Sequence, residues 1–190
     1  RHVLKSGVRY VELNVFSSKY GDGGIPVVSN GFENGEWKLL LNSITFENAI
    51  KTIADNAFTV SSSTGGSPNP NDPLFLSLNL STGYNMYCLD MIADIIMDYL
   101  NDYLLDPKYA YQFNNDIPNV KMSELENRVI IFASSGYEGS KLEELINSTW
   151  IDETTWDGHT IKQTIESFND VEIHFVYGID GSSITLPIEI

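Results

Sequence analysis

The sequence predicts an α/β arrangement with mainly parallel strands, and three observations carry the prediction. Segments of helical period alternate with strand-like segments. The strand candidates around Leu74 to Leu80 and Val129 to Ala133 are short, bounded apolar runs of the kind that parallel pairing with helical crossovers buries on both faces. The chain has 190 residues, short of the roughly 250 of a complete eight-unit barrel, so it is expected to hold part of one or a reduced version.

From Val8 to Phe16 apolar and polar residues alternate, with Val11, Leu13 and Val15 on one face and Tyr10, Glu12 and Asn14 on the other, which is a strand. After the loop SSKYGDGG a second short strand is expected over Ile25 to Val28, followed by a turn-rich stretch at Asn30, Gly31, Asn34 and Gly35. Ile44, Phe46, Ile50, Ile53, Ala54 and Phe58 recur at helical spacing and predict about four turns of helix. Ser61 to Asp72, rich in Ser, Gly and Pro, reads as a flexible surface loop within one domain. The apolar strand ending at Leu80 leads to a helix from about Tyr84 to Leu105. Tyr109 to Asn119 is irregular, Ser123 to Glu126 a short helical turn, and Val129 to Ala133 a buried strand. Helices at Lys141 to Asn147 and Thr160 to Phe168 and strands at Val171 to Tyr177 and Ser183 to Ile188 complete the reading, with no repeat period.

Composition narrows the function classes. Hydrophobic residues at 42% and charged residues at 19% exclude a chain disordered by composition. The longest apolar runs fall well short of the roughly 18 residues of a membrane span, so no transmembrane segment is expected. Eleven Lys and Arg against 26 Asp and Glu give a formal charge of −15, which repels nucleic acid and anionic lipid headgroups. Cys88 is the single cysteine, so there is no internal disulfide framework and no cysteine-rich zinc site. His2, His159 and His174 lack ligand-like neighbours at short spacing, so no metal site is expected on them. The chain opens on Arg1 and runs almost at once into a strand pattern; a preceding segment is expected, and no signal peptide is readable.

The order GVRYVELNVF, IPVVSNGF, ITFENAIKTIADNAF and DPLFLSLNL resembles the X region of phosphatidylinositol-specific phospholipase C from about Leu4 to Leu80, with a weaker continuation through MSELENRVIIFAS. The resemblance implies a phospholipase C-like phosphodiesterase fold, a partial or reduced TIM-type barrel. Residues 1–150 are then the X-like domain, lacking its N-terminal part, and residues 151–190 a helix-strand-strand extension of it. An active member needs a general base, a general acid and positive charge for the phosphate oxygens, the last supplied in the eukaryotic branch by calcium on carboxylates.

Position by position, Glu12 keeps an acid, but Asn14 and Asn79 stand where carboxylates are expected and Asn30 stands where a catalytic histidine is expected. Phe132 and Ser134 stand in place of lysines, and the other histidine of the family lies upstream of the match. An amide does not titrate near neutral pH, and losing such a proton carrier costs about 10²- to 10⁴-fold. The resemblance therefore implies a fold retained with its catalysis lost. Relatives of this damaged type, with a Pro-Asn-Pro-x-Asp-Pro-Leu segment like Pro68 to Leu74, are packaged by large DNA viruses of algae and protists. The expectation is a noncatalytic structural or interaction protein, a minor capsid or other virion component whose partners are other virion proteins, without a cofactor; a cytoplasmic location is the alternative. Two other readings stay open: a calcium-assisted phosphodiesterase using Glu12, and a module that binds an inositol phosphate without turning it over.

Two groups of residues are singled out. Glu12, Asn14, Asn30 and Asn79 form a remnant pocket, read as a hydrogen-bonded relic that holds loops in place. Asp90, Asp94, Asp98 and Asp102 recur every four residues along the long helix and read as a solvated face, with docking of a basic partner surface as the sharper alternative. Cys88 and the methionines of the same helix, Met86, Met91 and Met97, are read as packing.

Overall fold

Alternation along the first strand decides how the sheet is covered. The computed structural model describes residues 1–148 other than 20–22, 34–36, 114–116, 118–119 and 134. After a single turn of helix, α1 (His2–Lys5), the chain enters β1 (Tyr10–Ser17), β2 (Pro26–Glu33) and β3 (Trp37–Thr45). Helix α2 (Phe46–Ala57) leads to β4 (Leu74–Ser81), helix α3 (Met86–Leu100) to short 3₁₀ turns at Asn101–Tyr103, Pro107–Tyr109 and Tyr111–Phe113, and α4 (Met122–Leu125) to β5 (Val129–Ala133). The sheet order is β3-β2-β1-β4-β5. β1 pairs parallel with β4, and β4 with β5, whereas β2 and β3 form an antiparallel hairpin on the outer side of β1. The fold is mixed α/β around a mostly parallel centre.

Val11, Leu13 and Val15 of β1, Leu74, Leu76 and Leu78 of β4, and Val129, Ile131 and Ala133 of β5 share one face and one core. Against it lie Phe46, Ile50, Ile53 and Ala57 of α2 and Leu89, Ile92, Ile96 and Leu100 of α3, all buried. Their spacing of three and four residues places them on one side of each helix. Each helix begins on a side-chain cap: Thr45 Oγ1 accepts from Asn48 N (3.2 Å) and Asn85 Oδ1 from Cys88 N (3.1 Å). On the opposite face the register sets rows across the strands, Tyr10 beside Phe75 beside Ile130, Glu12 beside Ser77 beside Phe132, and Asn14 beside Asn79. The β5 end of this face is apolar, with Ile130 and Phe132 under Leu105, Ile117 and Leu125. Its β1 end is polar.

Arg9 binds elements that are far apart in the chain. Its guanidinium donates to the carbonyls of Ala57 (2.6 Å), Pro73 (3.2 Å) and Asp72, and lies 5.2 Å over the Phe58 ring. Burial lowers its pKa, an effect opposed by the nearby Asp72 charge. Arg9 thus ties main-chain segments together, on the face opposite Glu12.

Several expectations need correction. Trp37–Thr45 is a strand that sequence reading overlooked, and it takes Ile44 from the expected helix, which starts at Phe46. The stretch at Asn30 and Gly31 is not a turn but the second half of β2. Ser61 to Asp72 is tucked in at its middle: Gly65, Gly66 and Ser67 are buried and Gly66 N donates to Asn56 Oδ1 (3.1 Å). Gly66 has φ +87° and a Cβ there would meet the Val60 carbonyl, so only glycine fits. Met86 and Met97 are about half exposed rather than packed. Lys141–Leu145 is a 3₁₀ segment. The elements expected at 160–168, 171–177 and 183–188, the 151–190 extension and Ser134 lie outside the described residues.

Candidate functional site

β1 and β4 run parallel in register, so Asn14 and Asn79 are direct neighbours, and Asn79 Nδ2 donates to Asn14 Oδ1 at 3.1 Å. One residue pair back, Glu12 stands beside the buried Ser77. The Tyr10 hydroxyl lies 3.4 Å from Glu12 Oε2. Burial, assisted by the Glu12 charge and opposed by a hydrogen bond with Ser77, raises the pKa of this phenol.

The hairpin supplies the other wall. Between Ser29 and Gly31 the β2–β3 register shifts, an irregularity that re-aims side chains and is common beside functional sites. Ser29 is buried, its Oγ 3.0 Å from the Asn42 carbonyl and 3.1 Å from that of Asn30. A cavity of about 600 Å³ results. Glu12 and Asn14 line it from β1, Ser29 and Asn30 from β2, and Asn42 and Ser43 from β3, with Val28 and Ile44 at its margin. Among the described residues Glu12 is the one ionisable side chain in this lining. Everything else polar there is an amide or a hydroxyl, which donates and accepts hydrogen bonds without carrying a proton away.

The structure thus brings Glu12, Asn14 and Asn30 to one cavity and ties Asn79 to it through Asn14. Sequence reading missed Ser29, Asn42 and Ser43. Ser29 was passed over beside Asn30; the other two sit on the overlooked strand, where Thr45 before Phe46-Glu47 was the available signal for a helix start and hence for a strand ahead of it. Phe132 is buried in the apolar cluster, its ring centroid 6.1 Å from that of Phe75. The aspartate row divides. Asp90 Oδ1 accepts from Lys141 N (2.9 Å) and Asp94 Oδ1 pairs with Lys141 Nζ (3.0 Å), which raises the Lys141 pKa. Asp98 and Asp102 are exposed. Cys88 is buried, and burial lifts its thiol pKa to about 11, the opposite of what a nucleophile needs. Among the described residues no three His, Cys, Asp or Glu side chains gather as a metal site, and no helix is long and apolar enough to cross a membrane.

Comparison with known proteins agrees with this layout. Residues 1–135 match the family model described as phosphatidylinositol-specific phospholipase C, X domain. Among solved structures the chain is similar to L. pealei PLC21, with a TM-score of 0.54 and 17% identity, and to S. officinalis PLC21, with a TM-score of 0.58 and 16% identity. Each match covers 88% of this chain but 24% of the other, so the chain spans about a quarter of those proteins. At such identities the likeness is one of fold. No curated protein matches the sequence. With 135 of its 190 residues under that family model, the chain belongs to the phosphatidylinositol-specific phospholipase C X-domain family.

Proposed function

We propose that this chain is a noncatalytic member of the family, a structural or interaction protein in which the cleft persists and the chemistry has gone. The observation that carries the reading is the Asn79–Asn14 hydrogen bond (3.1 Å), two amides bound to each other at the positions where the family resemblance places carboxylates. Calcium takes six to eight oxygen ligands and its affinity follows their charge. Here Glu12 brings one charge while Asn14 and Asn79 are neutral amides bound to each other, a donor set poor in the charge that a divalent ion needs. Asn30, lining the same cavity, holds no proton to give or take near neutral pH. The sheet, with its polar rows at one end of one face, is on this reading part of a TIM-type barrel.

The finer assignment, a minor capsid or other component of a large DNA virus, rests on the likeness of the Pro68 to Leu74 segment and the histidine-free second strand to virion-packaged relatives. Two experiments test the whole. Phosphatidylinositol in vesicles, offered to the intact chain with calcium, is expected to stay uncleaved; calcium-dependent cleavage that disappears in Glu12→Gln would establish the enzyme instead. Mass spectrometry of purified virions is expected to find the chain, and its absence from particles would remove the virion assignment while leaving the noncatalytic one standing.

A further inference from the structure

A second cleft lies elsewhere among the described residues. It lies before the start of β5, at the end of the sheet away from the Asn14–Asn79 pair, and measures about 720 Å³, within the size range of ligand-binding clefts. Its apolar lining comes from the last turns of α3 and the segments that follow: Met97, about half exposed, with Leu104 and Leu145 half-buried. The lining is held in place. Arg128 Nη1 donates to the carbonyls of Asp102 (3.0 Å) and Leu104 (3.2 Å), and Asn147 joins the Tyr109 carbonyl (3.2 Å) to the β5 amide of Ile131 (2.8 Å).

Among the described residues four carboxylates from three separate segments border this cleft, Asp106, Glu124, Glu126 and Glu144, against two cations, Lys108 and Arg128. Lys108 lies 4.8 Å over the Tyr109 ring, and Arg128 is turned onto main-chain carbonyls. Glu126 and Glu144 are exposed, and their carboxylates have no hydrogen-bond or ion-pair partner among the described residues. We propose that this cleft docks a segment of a partner protein in which an apolar side chain is flanked by Lys or Arg. The apolar residue covers Met97, Leu104 and Leu145, and the flanking cations meet Glu126 on one side and Glu144 on the other. Because the negative charges stand on separate segments, a ligand with several spaced cations satisfies them where a single ion does not. Charge complementarity of this kind sets orientation and partner choice.

The test uses the intact chain and a fluorescein-labelled hexapeptide alternating lysine and leucine, with fluorescence anisotropy as the readout. The paired exposed changes Glu126→Lys and Glu144→Lys are expected to weaken binding by about tenfold or more, while Asp55→Lys with Asp98→Lys, equal in charge but outside the cleft, leaves it nearly unchanged. A peptide with serine in place of leucine is expected to lose most of its affinity. Equal weakening by both pairs would mean that the overall negative field alone attracts the peptide, and undiminished binding of the serine peptide would mean that the apolar lining takes no part; either result overturns the proposal. No binding at all in the intact chain also overturns it. A concentration-dependent dimer abolished by the Glu126 and Glu144 changes would assign the cleft to a second copy and exclude the proposed partner.

Discussion

Asn14 and Asn79 face each other across a parallel strand pair with Glu12 one alternate residue away, so their neutrality has a consequence for stability. Replacing them together by Asp and Glu sets three carboxylates close on one face. Like charges on neighbouring strands cost about 0.2–1 kcal/mol per pair, and the Asn14→Asp, Asn79→Glu variant is expected to unfold at a lower urea midpoint than the parent in calcium-free buffer. An unchanged midpoint would show that the amide pair stabilises nothing. Cys88 gives a second prediction. Its thiol holds its proton up to about pH 11 in the folded chain but loses it near pH 9 when unfolded. Between those values the unfolded state binds fewer protons, so stability falls as pH rises; the loss is about 1–2 kcal/mol after allowing for solvent screening. Urea midpoints measured from about pH 8 to 11 are expected to fall less in Cys88→Ala. The identities of Glu12, Asn14, Asn30 and Asn79 were open to sequence reading because period-two alternation and family likeness mark them. The bond between Asn14 and Asn79 was not, since register between β1 and β4 is settled only when the strands pair.

Helix α3 shows how local signals and tertiary packing share the work. Asn85, itself buried, caps the helix through Cys88 N, and Asn85→Ala is expected to cost about 1–2 kcal/mol, read as a drop in the urea midpoint. Change confined to Asn85 without loss of stability would place the helix start under the control of packing alone. The apolar face of this helix was legible because its period is strong, as was β5, whose expected bounds match the observed Val129–Ala133. β3 was not. Its Leu-Leu-Leu run satisfies helical and strand periods equally, and only pairing with β2 across the irregular register decides between them. The aspartate row on α3 was visible as a repeat, yet nothing in the repeat announced Lys141, 47 residues on from Asp94, whose ammonium pairs with Asp94 and whose main-chain N–H binds Asp90.

At the scale of the whole molecule the sheet has one face given to the helices and another divided between an apolar end and a polar end. Arg9 fastens this assembly by joining the start of β1 to the end of α2 and the approach to β4. Arg9→Met keeps much of the packing and removes the donors, and is expected to cost about 2–3 kcal/mol in chemical unfolding, because several carbonyls lose a charged partner at once. The α/β class and the parallel centre were legible from the order of elements. The antiparallel hairpin was not, because its return strand went unrecognised, and the second half of the cavity wall went with it. The claim on which the functional reading depends is that the cavity keeps its shape without the means to grip a divalent ion. Calorimetric titration of calcium into the intact chain tests it most directly: no saturable binding in the millimolar range is expected, while Asn14→Asp with Asn79→Glu gains a binding isotherm. Saturable calcium binding by the unaltered chain, abolished by Glu12→Gln, would contradict it.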